Sequence, residues 1–414
     1  MSGGRAATAA RPAVSSTPSA IATPDSEPPT PGTQLDDRWP QRGDKSPVDQ
    51  GWYPRDRCGY GARAMGKAAA PDVPAIQYLR GIAAMMVVFA HAVHQLGPGT
   101  VMFSAIGTSG VDIFFVISGF IMTYMTSARS YTRAGFMWRR IVRIVPIYWA
   151  ATALTAVIAI LKPSLLNHTK FSWTEFGASL SFVPTFNPVT GGLEPLLKLG
   201  WTLNYEMMFY VLFCLLLFQP VRRRILELGA IFTITVVANN LPHNPLAALQ
   251  FYGNPIVFEF LFGCIIGYWF VNERVDLAAA VSAICLAISF SLLVAGSTIA
   301  GEGAFVRSIP AAFLVFSAVA LQRTTSWRST ALHLIGDASY STYCTHIFMV
   351  MAAAAAWRRF GNLASPIQGT VFVSVCIGAS AAIGIATYSW IEKPLIGWLR
   401  SLRIMTKAEG AAAQ

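Results

Sequence analysis

Apolar runs of about twenty residues, punctuated by Gly, Pro or basic clusters, begin near residue 79 and recur as far as residue 390. They predict ten spans, over 79–96, 106–127, 142–161, 203–219, 225–241, 255–271, 277–295, 306–321, 337–356 and 367–390. Ahead of them, residues 1–72 hold ten prolines, charges of both signs and almost no apolar clustering, which predicts a disordered cytoplasmic tail. This tail lacks the continuous apolar stretch of a signal peptide. Met65 opens a compact lead into the first span and is a candidate start, in which case most of the tail is not translated. Residues 73–397 are then the membrane domain and 398–414 a basic cytoplasmic tail. The expected fold is an all-α polytopic membrane bundle of about ten transmembrane helices.

Composition supports this pattern. Of 414 residues, 54% are hydrophobic and only 12% charged, too few polar groups to cover a soluble globule. The net charge of +11 does not imply nucleic acid, because the basic residues lie mostly in the tails or between spans. With a cytoplasmic N-terminus, fourteen arginines and lysines fall on the inner side, among them Arg139, Arg140 and Arg222 to Arg224, and six on the outer side, Arg307 among them. That asymmetry predicts both termini inside the cell membrane. Five of the six cysteines fall inside apolar runs, and no CxxC or Cys/His ligand spacing occurs, so neither a disulfide framework nor a metal site is expected.

Against this apolar background a few polar groups stand out. The first span reads LRGIAAMMVVFAHAVH, in which Arg80 and His91 are eleven residues apart. They share one helix face at a separation of about 16 Å, half a bilayer core. A charge at that depth costs roughly 3 kcal/mol and persists for a purpose or with a partner. His94 points about 60° away from His91. Span two carries Asp112 and the small pair Ser118-Gly119, which suits close helix packing. Arg140 and Arg143 lie three apart in WRRIVRIVPIYW, with Pro146 interrupting the hydrogen-bond ladder one turn later. They suit either a positive-inside anchor or a grip on a phosphate-bearing ligand. Glu206 sits among Trp201, Asn204, Tyr205 and Tyr210, either as a partner for an intramembrane arginine or as a proton-handling carboxylate. Glu259 is a second acid in an apolar run, and His346 follows Ser339, Tyr340 and Tyr343. Trp390, Glu392 and Lys393 suit an interface marker, and the 162–202 loop a cap, an acceptor entrance or a plain connector.

No Walker A sequence, GxSxG elbow or fixed-period repeat is present. Two function classes fit these residues. A transporter would hold a glycan or small solute, or relay protons, through the intramembrane groups. A membrane transferase would grip a cytosolic donor with arginines and use a neutral histidine as base on an acceptor hydroxyl.

Taken in order, the Arg80–His91 spacing, GVDIFFVISGF, RRIVRIVPIYW, WTLNYEMMFY, SYSTYCTH and WIEKP resemble acyltransferase family 3, the integral membrane O-acyltransferases, and in particular its bacterial exopolysaccharide, ExoZ-like branch. The likeness covers about residues 75–396, with Cys344 standing where leucine is usual. It implies a bundle of about ten helices that moves an acetyl or other short acyl group from acyl-CoA to a sugar hydroxyl. Acyl-CoA is thus a donor substrate, with no permanently bound cofactor, and the acceptor is a polysaccharide or lipid-linked glycan. The resemblance carries His91 over as the catalytic base, Arg80 as its partner in the motif, and Arg80, Arg140 and Arg143 as the donor-binding arginines. Glu206 is expected to position His91 or the sugar, and Trp201, Tyr205 and His346 to bind the acceptor. Direct transfer is the expected route, with a covalent acyl-imidazole on His91 as its competitor.

Overall fold

The computed structural model describes residues 72–412 apart from 98–99, 101–102, 104–105, 164–170, 188–190, 242–245, 300–303, 327 and 364. The expected disordered tail and the candidate start at Met65 lie outside the described residues. Among the described residues every regular element is helical. The helices are α1 (Pro74–His94), α2 (Ile106–Ala128), α3 (Arg133–Leu161), α4 (Trp173–Leu180), α5 (Gly200–Leu215), α6 (Val221–Asn239), α7 (Ala247–Tyr252), α8 (Phe258–Val271), α9 (Ala279–Ile299), α10 (Ala304–Thr324), α11 (Thr330–Asp337), α12 (Ser339–Phe360), α13 (Pro366–Thr387) and α14 (Lys393–Ala412). Six helices are long and apolar enough, by length and composition, to cross a membrane: α1, α2, α3, α9, α10 and the run from α13 into α14. The other four expected spans fall on α5, α6, α8 and α12. Of these, α5 and α8 have only 16 and 14 residues, α6 opens on Arg222 to Arg224, and α12 opens on Ser, Thr, Tyr and His.

The sequence explains how the helices pack. α1 is the hub, touching α2, α10, α11, α12 and α13. The crossing of α2 and α8 depends on glycine, because a Cβ on Gly119 would lie 2.0 Å from the Phe260 carbonyl oxygen and one on Gly263 1.9 Å from that of Val116. At the start of α1, a Cβ on Gly336 would meet the Gln77 carbonyl oxygen at 2.1 Å, so α11 lies directly against the turn that carries Gln77 and Arg80. His333 reinforces this contact through Asp72 (2.8 Å) and Asp337 (3.3 Å). Partial burial alone would lower its pKa, but the two carboxylates more than offset burial and hold it above the ordinary histidine value. Pro146 does not end α3, which runs through it from Arg133 to Leu161. The basic segment ahead of the third expected span is therefore the opening of the same helix.

Two arginines assigned by pattern to loops are structural. Arg224 is 5% exposed and donates to the carbonyls of Leu216, Leu217 and Gln219, while Arg133 donates to Leu215. Together they satisfy the open carbonyls at the end of α5 and favour its negative dipole end. Arg307 stands inside α10, where its Nε donates to Asp112 Oδ2 at 3.0 Å. Glu259, fully buried beside this pair, accepts from Ser308 Oγ at 2.7 Å. The cluster ties α2, α8 and α10 together within the apolar bundle. Asp112→Ala is expected to lower stability by about 3 kcal/mol, the lower end for breaking a buried pair, because it removes the carboxylate that Arg307 Nε donates to. Thermal unfolding of the purified variant in detergent, with Asp112→Asn as the milder reference, measures it.

Candidate active site

Two cavities meet inside the bundle. The first, of about 240 Å³, is lined by Gln77 and Arg80 of α1, Ser118 of α2, Arg140 and Arg143 of α3, Glu206 and Tyr210 of α5, and Tyr340 of α12, with apolar side chains between them. The helical spacing accounts for this convergence: Arg140 and Arg143 share a face of α3, and Glu206 and Tyr210 share a face of α5. Glu206 accepts from Ser118 Oγ (3.1 Å) and from the Tyr210 hydroxyl. Arg143 pairs with Glu392, whose other oxygen accepts from Ser341 Oγ. The Arg140 and Arg143 guanidiniums lie over the Tyr210 and Tyr340 rings at 5.7 and 5.6 Å. Arg80 donates to Gln77 at 3.1 Å. Among the described residues, neither Arg80 nor Arg140 has a carboxylate at ion-pair distance. Three guanidiniums facing two carboxylates leave this cavity net positive, which suits a ligand carrying phosphate.

The second cavity, of about 860 Å³, is lined by His91, His94, Lys198, Trp201, Tyr343 and Arg358 together with apolar residues of α1, α2 and α12. His91 Nδ1 lies 2.9 Å from the Val87 carbonyl oxygen. Because a carbonyl can only accept, that nitrogen carries the proton, and in the neutral ring Nε2 keeps its lone pair. The His346 ring stands edge-on to His91 with centroids 5.0 Å apart. Its Nδ1 likewise donates to the Tyr343 carbonyl at 2.8 Å. From the 162–202 loop, Leu196 to Leu199 and Trp201 form part of the cavity wall, so this stretch is more than a connector. The Leu196 amide donates to Ser179 Oγ (2.9 Å), which holds the wall to α4. On the same short helix, burial pushes the Glu175 carboxyl up to about 7, against the hydrogen bond that it accepts from Asn187.

The candidate residues thus divide between two compartments. Arg80, Arg140, Arg143 and Glu206 meet in the first cavity; His91 and Trp201 face the second. Glu206, expected to position His91 or the sugar, stands on the arginine side, where it accepts from Ser118 and Tyr210. Trp201 and Glu206 are five residues apart on α5, so a rise of about 7.5 Å separates them along the helix. Nor do Tyr205 and His346 line either cavity. The Tyr205 hydroxyl donates to the Phe251 carbonyl and its ring stacks on Phe251 at 4.6 Å, while His346 is fully buried behind His91. His94, expected to stand apart, shares the cavity of His91. Glu392, read as an interface marker, is 1% exposed and is the buried counter-ion of Arg143. An acid ending a long apolar run, in WIEKP, was the available signal.

The acyltransferase domain family Acyl_transf_3 matches residues 73–390. The Exopolysaccharide production protein ExoZ of Rhizobium meliloti (strain 1021) is 36% identical over 324 residues, which cover 75% of this chain and 96% of that protein. O-acetyltransferase OatA of Staphylococcus aureus (strain NCTC 8325 / PS 47) is 23% identical over 372 residues, 78% of this chain and 57% of OatA. No solved structure matches the chain. With its apolar helices, its ordered motifs and this family match over most of its length, the chain is a membrane protein that belongs to acyltransferase family 3 and to its ExoZ-like branch.

Proposed function

We propose that the protein transfers an acetyl or other short acyl group from cytosolic acyl-CoA to a hydroxyl of a cell-surface or exopolysaccharide sugar, with His91 as general base. The observation that carries this reading is the pair of abutting cavities, one rich in guanidinium and the other holding a histidine with a free Nε2 lone pair. Arg80, Arg140 and Arg143 neutralise the donor phosphates through charge-assisted hydrogen bonds. Trp201 offers an apolar face to the sugar. The hydroxyl oxygen attacks the thioester carbonyl carbon while His91 Nε2 takes its proton. The carbon–sulfur bond then breaks, and the thiolate takes up a proton to leave as free coenzyme A. The names of ExoZ and OatA agree with a saccharide acceptor and with O-acetyl transfer.

In this reading about ten helices cross the cell membrane and both termini are cytoplasmic. Setting aside the buried Arg224 and Arg307, thirteen basic residues remain on the inner side and five on the outer. The arginine cavity then faces the cytosol and the histidine cavity the opposite side. Purified protein in detergent, given acetyl-CoA and a glycan acceptor, is expected to release coenzyme A thiol and form ester in equal amounts. Acceptor retained without thiol release would indicate transport and overturn the proposal. Rapid quenching with labelled acetyl-CoA and no acceptor is expected to leave the protein unlabelled, as direct transfer requires; label on His91 indicates the covalent route.

A further inference from the structure

Val111 and Tyr343 are the residues common to the linings of both cavities, so one layer of side chains separates the two. Both are well packed, at 6% and 7% exposure. Tyr343 is anchored on one side through its hydroxyl, which lies 2.7 Å from Thr202 Oγ1 and 3.1 Å from the Leu199 carbonyl oxygen. Thr202 Oγ1 is itself 3.1 Å from that carbonyl. One hydroxyl therefore donates to the other, and the second donates to Leu199, which ties the ring to the start of α5. Phe114 meets the Tyr343 ring edge-on at 6.1 Å. Val111, β-branched on a helix, has a single strongly preferred rotamer. Both side chains are thus held in place where the two cavities approach each other.

We infer that this Val111–Tyr343 partition sets the length of acyl group the protein transfers, admitting a two-carbon acyl group and excluding longer ones. The inference rests on the donor and acceptor sides assigned above. If the thioester sulfur lies in the arginine cavity and the attacking hydroxyl beside His91, the carbonyl carbon changes partners within the shared layer. The acyl tail must then pack against Val111 and Tyr343. Each added methylene there must press on one of these two held side chains, and one methylene changes selectivity by roughly tenfold or more.

The test compares kcat/KM for acetyl-, propionyl- and butyryl-CoA in the purified full-length protein with a glycan acceptor. Wild type is expected to prefer acetyl over butyryl by about a hundredfold, two methylenes at roughly tenfold each. Val111→Ala is expected to raise the butyryl-to-acetyl ratio about tenfold, and Val111→Leu to lower the propionyl-to-acetyl ratio. Tyr343→Phe keeps the ring volume and removes its anchor; it serves as an independent variant, expected to raise the butyryl ratio by about threefold. A chain-length profile unchanged in Val111→Ala and Tyr343→Phe, or wild-type turnover of butyryl-CoA equal to that of acetyl-CoA, would overturn the inference alone. No turnover of any acyl-CoA by wild type would overturn the donor reading and the inference with it.

Discussion

His91→Ala is expected to reduce acyl transfer by about a thousandfold or more while the protein still inserts and purifies as a folded species. General base catalysis by a positioned histidine contributes typically 10²–10⁴-fold, and the other imidazole on the wall of that cavity, His94, is turned about 60° from His91 around α1. The hydrogen bond from Nδ1 to Val87 directs the lone pair of Nε2, and the edge-on His346 ring limits rotation of His91. Coenzyme A thiol release with saturating acceptor measures the loss, and the elution profile in detergent reports the fold. His94→Ala provides the contrast. It removes a polar lining group from the same cavity, and a loss of less than about tenfold, mainly in acceptor KM, is expected. Near-normal transfer by His91→Ala would remove the histidine from the mechanism.

Arg143→Ala is expected to have the second-largest effect, and it combines two losses that can be separated. Removing a charge-assisted hydrogen bond to phosphate costs about 1.5–3 kcal/mol, which raises the acyl-CoA KM roughly 10- to 100-fold. Removing the partner of Glu392 also leaves a carboxylate that is 1% exposed without its counter-ion, a destabilisation of about 3–5 kcal/mol. The double variant Arg143→Ala/Glu392→Gln is expected to recover most of the lost thermal stability but none of the KM. Arg140→Ala, which breaks no carboxylate pair among the described residues, is expected to raise KM about tenfold with little change in unfolding temperature. An Arg143→Ala variant with unchanged donor KM would show that the arginine is only a structural partner of Glu392.

The site was readable in the sequence where its residues share one helix. The eleven-residue interval from Arg80 to His91 places both groups on one face at different depths, and they do open onto different cavities. The three-residue interval of Arg140 and Arg143 likewise places both on one wall. Contacts between helices were less readable. Asp112, Glu259 and Arg307 each stand out as polar groups in apolar or flanking sequence, yet their meeting depends on how α2, α8 and α10 cross. Glu392 pairs with an arginine 249 residues earlier in the chain. Tyr205 shows the same limit, since the sequence sets it beside Glu206 whereas its ring stacks on Phe251 of α7 and its hydroxyl donates to the Phe251 carbonyl.

By itself the sequence determined the membrane character, the helical class, the Arg80–His91 axis and the family. Each of these follows from local hydropathy, helical periodicity or ordered motifs, and none needs knowledge of which helices touch. Tertiary structure alone decided that Glu206 belongs with the arginines rather than with His91, that Arg143 is held by Glu392, and that Val111 and Tyr343 stand between the two cavities. The reason is physical. In an apolar bundle most helix faces are equally hydrophobic, so the pattern that makes each helix does not choose its neighbours; glycine contacts and buried charge pairs choose them, and those interactions join residues far apart in the chain.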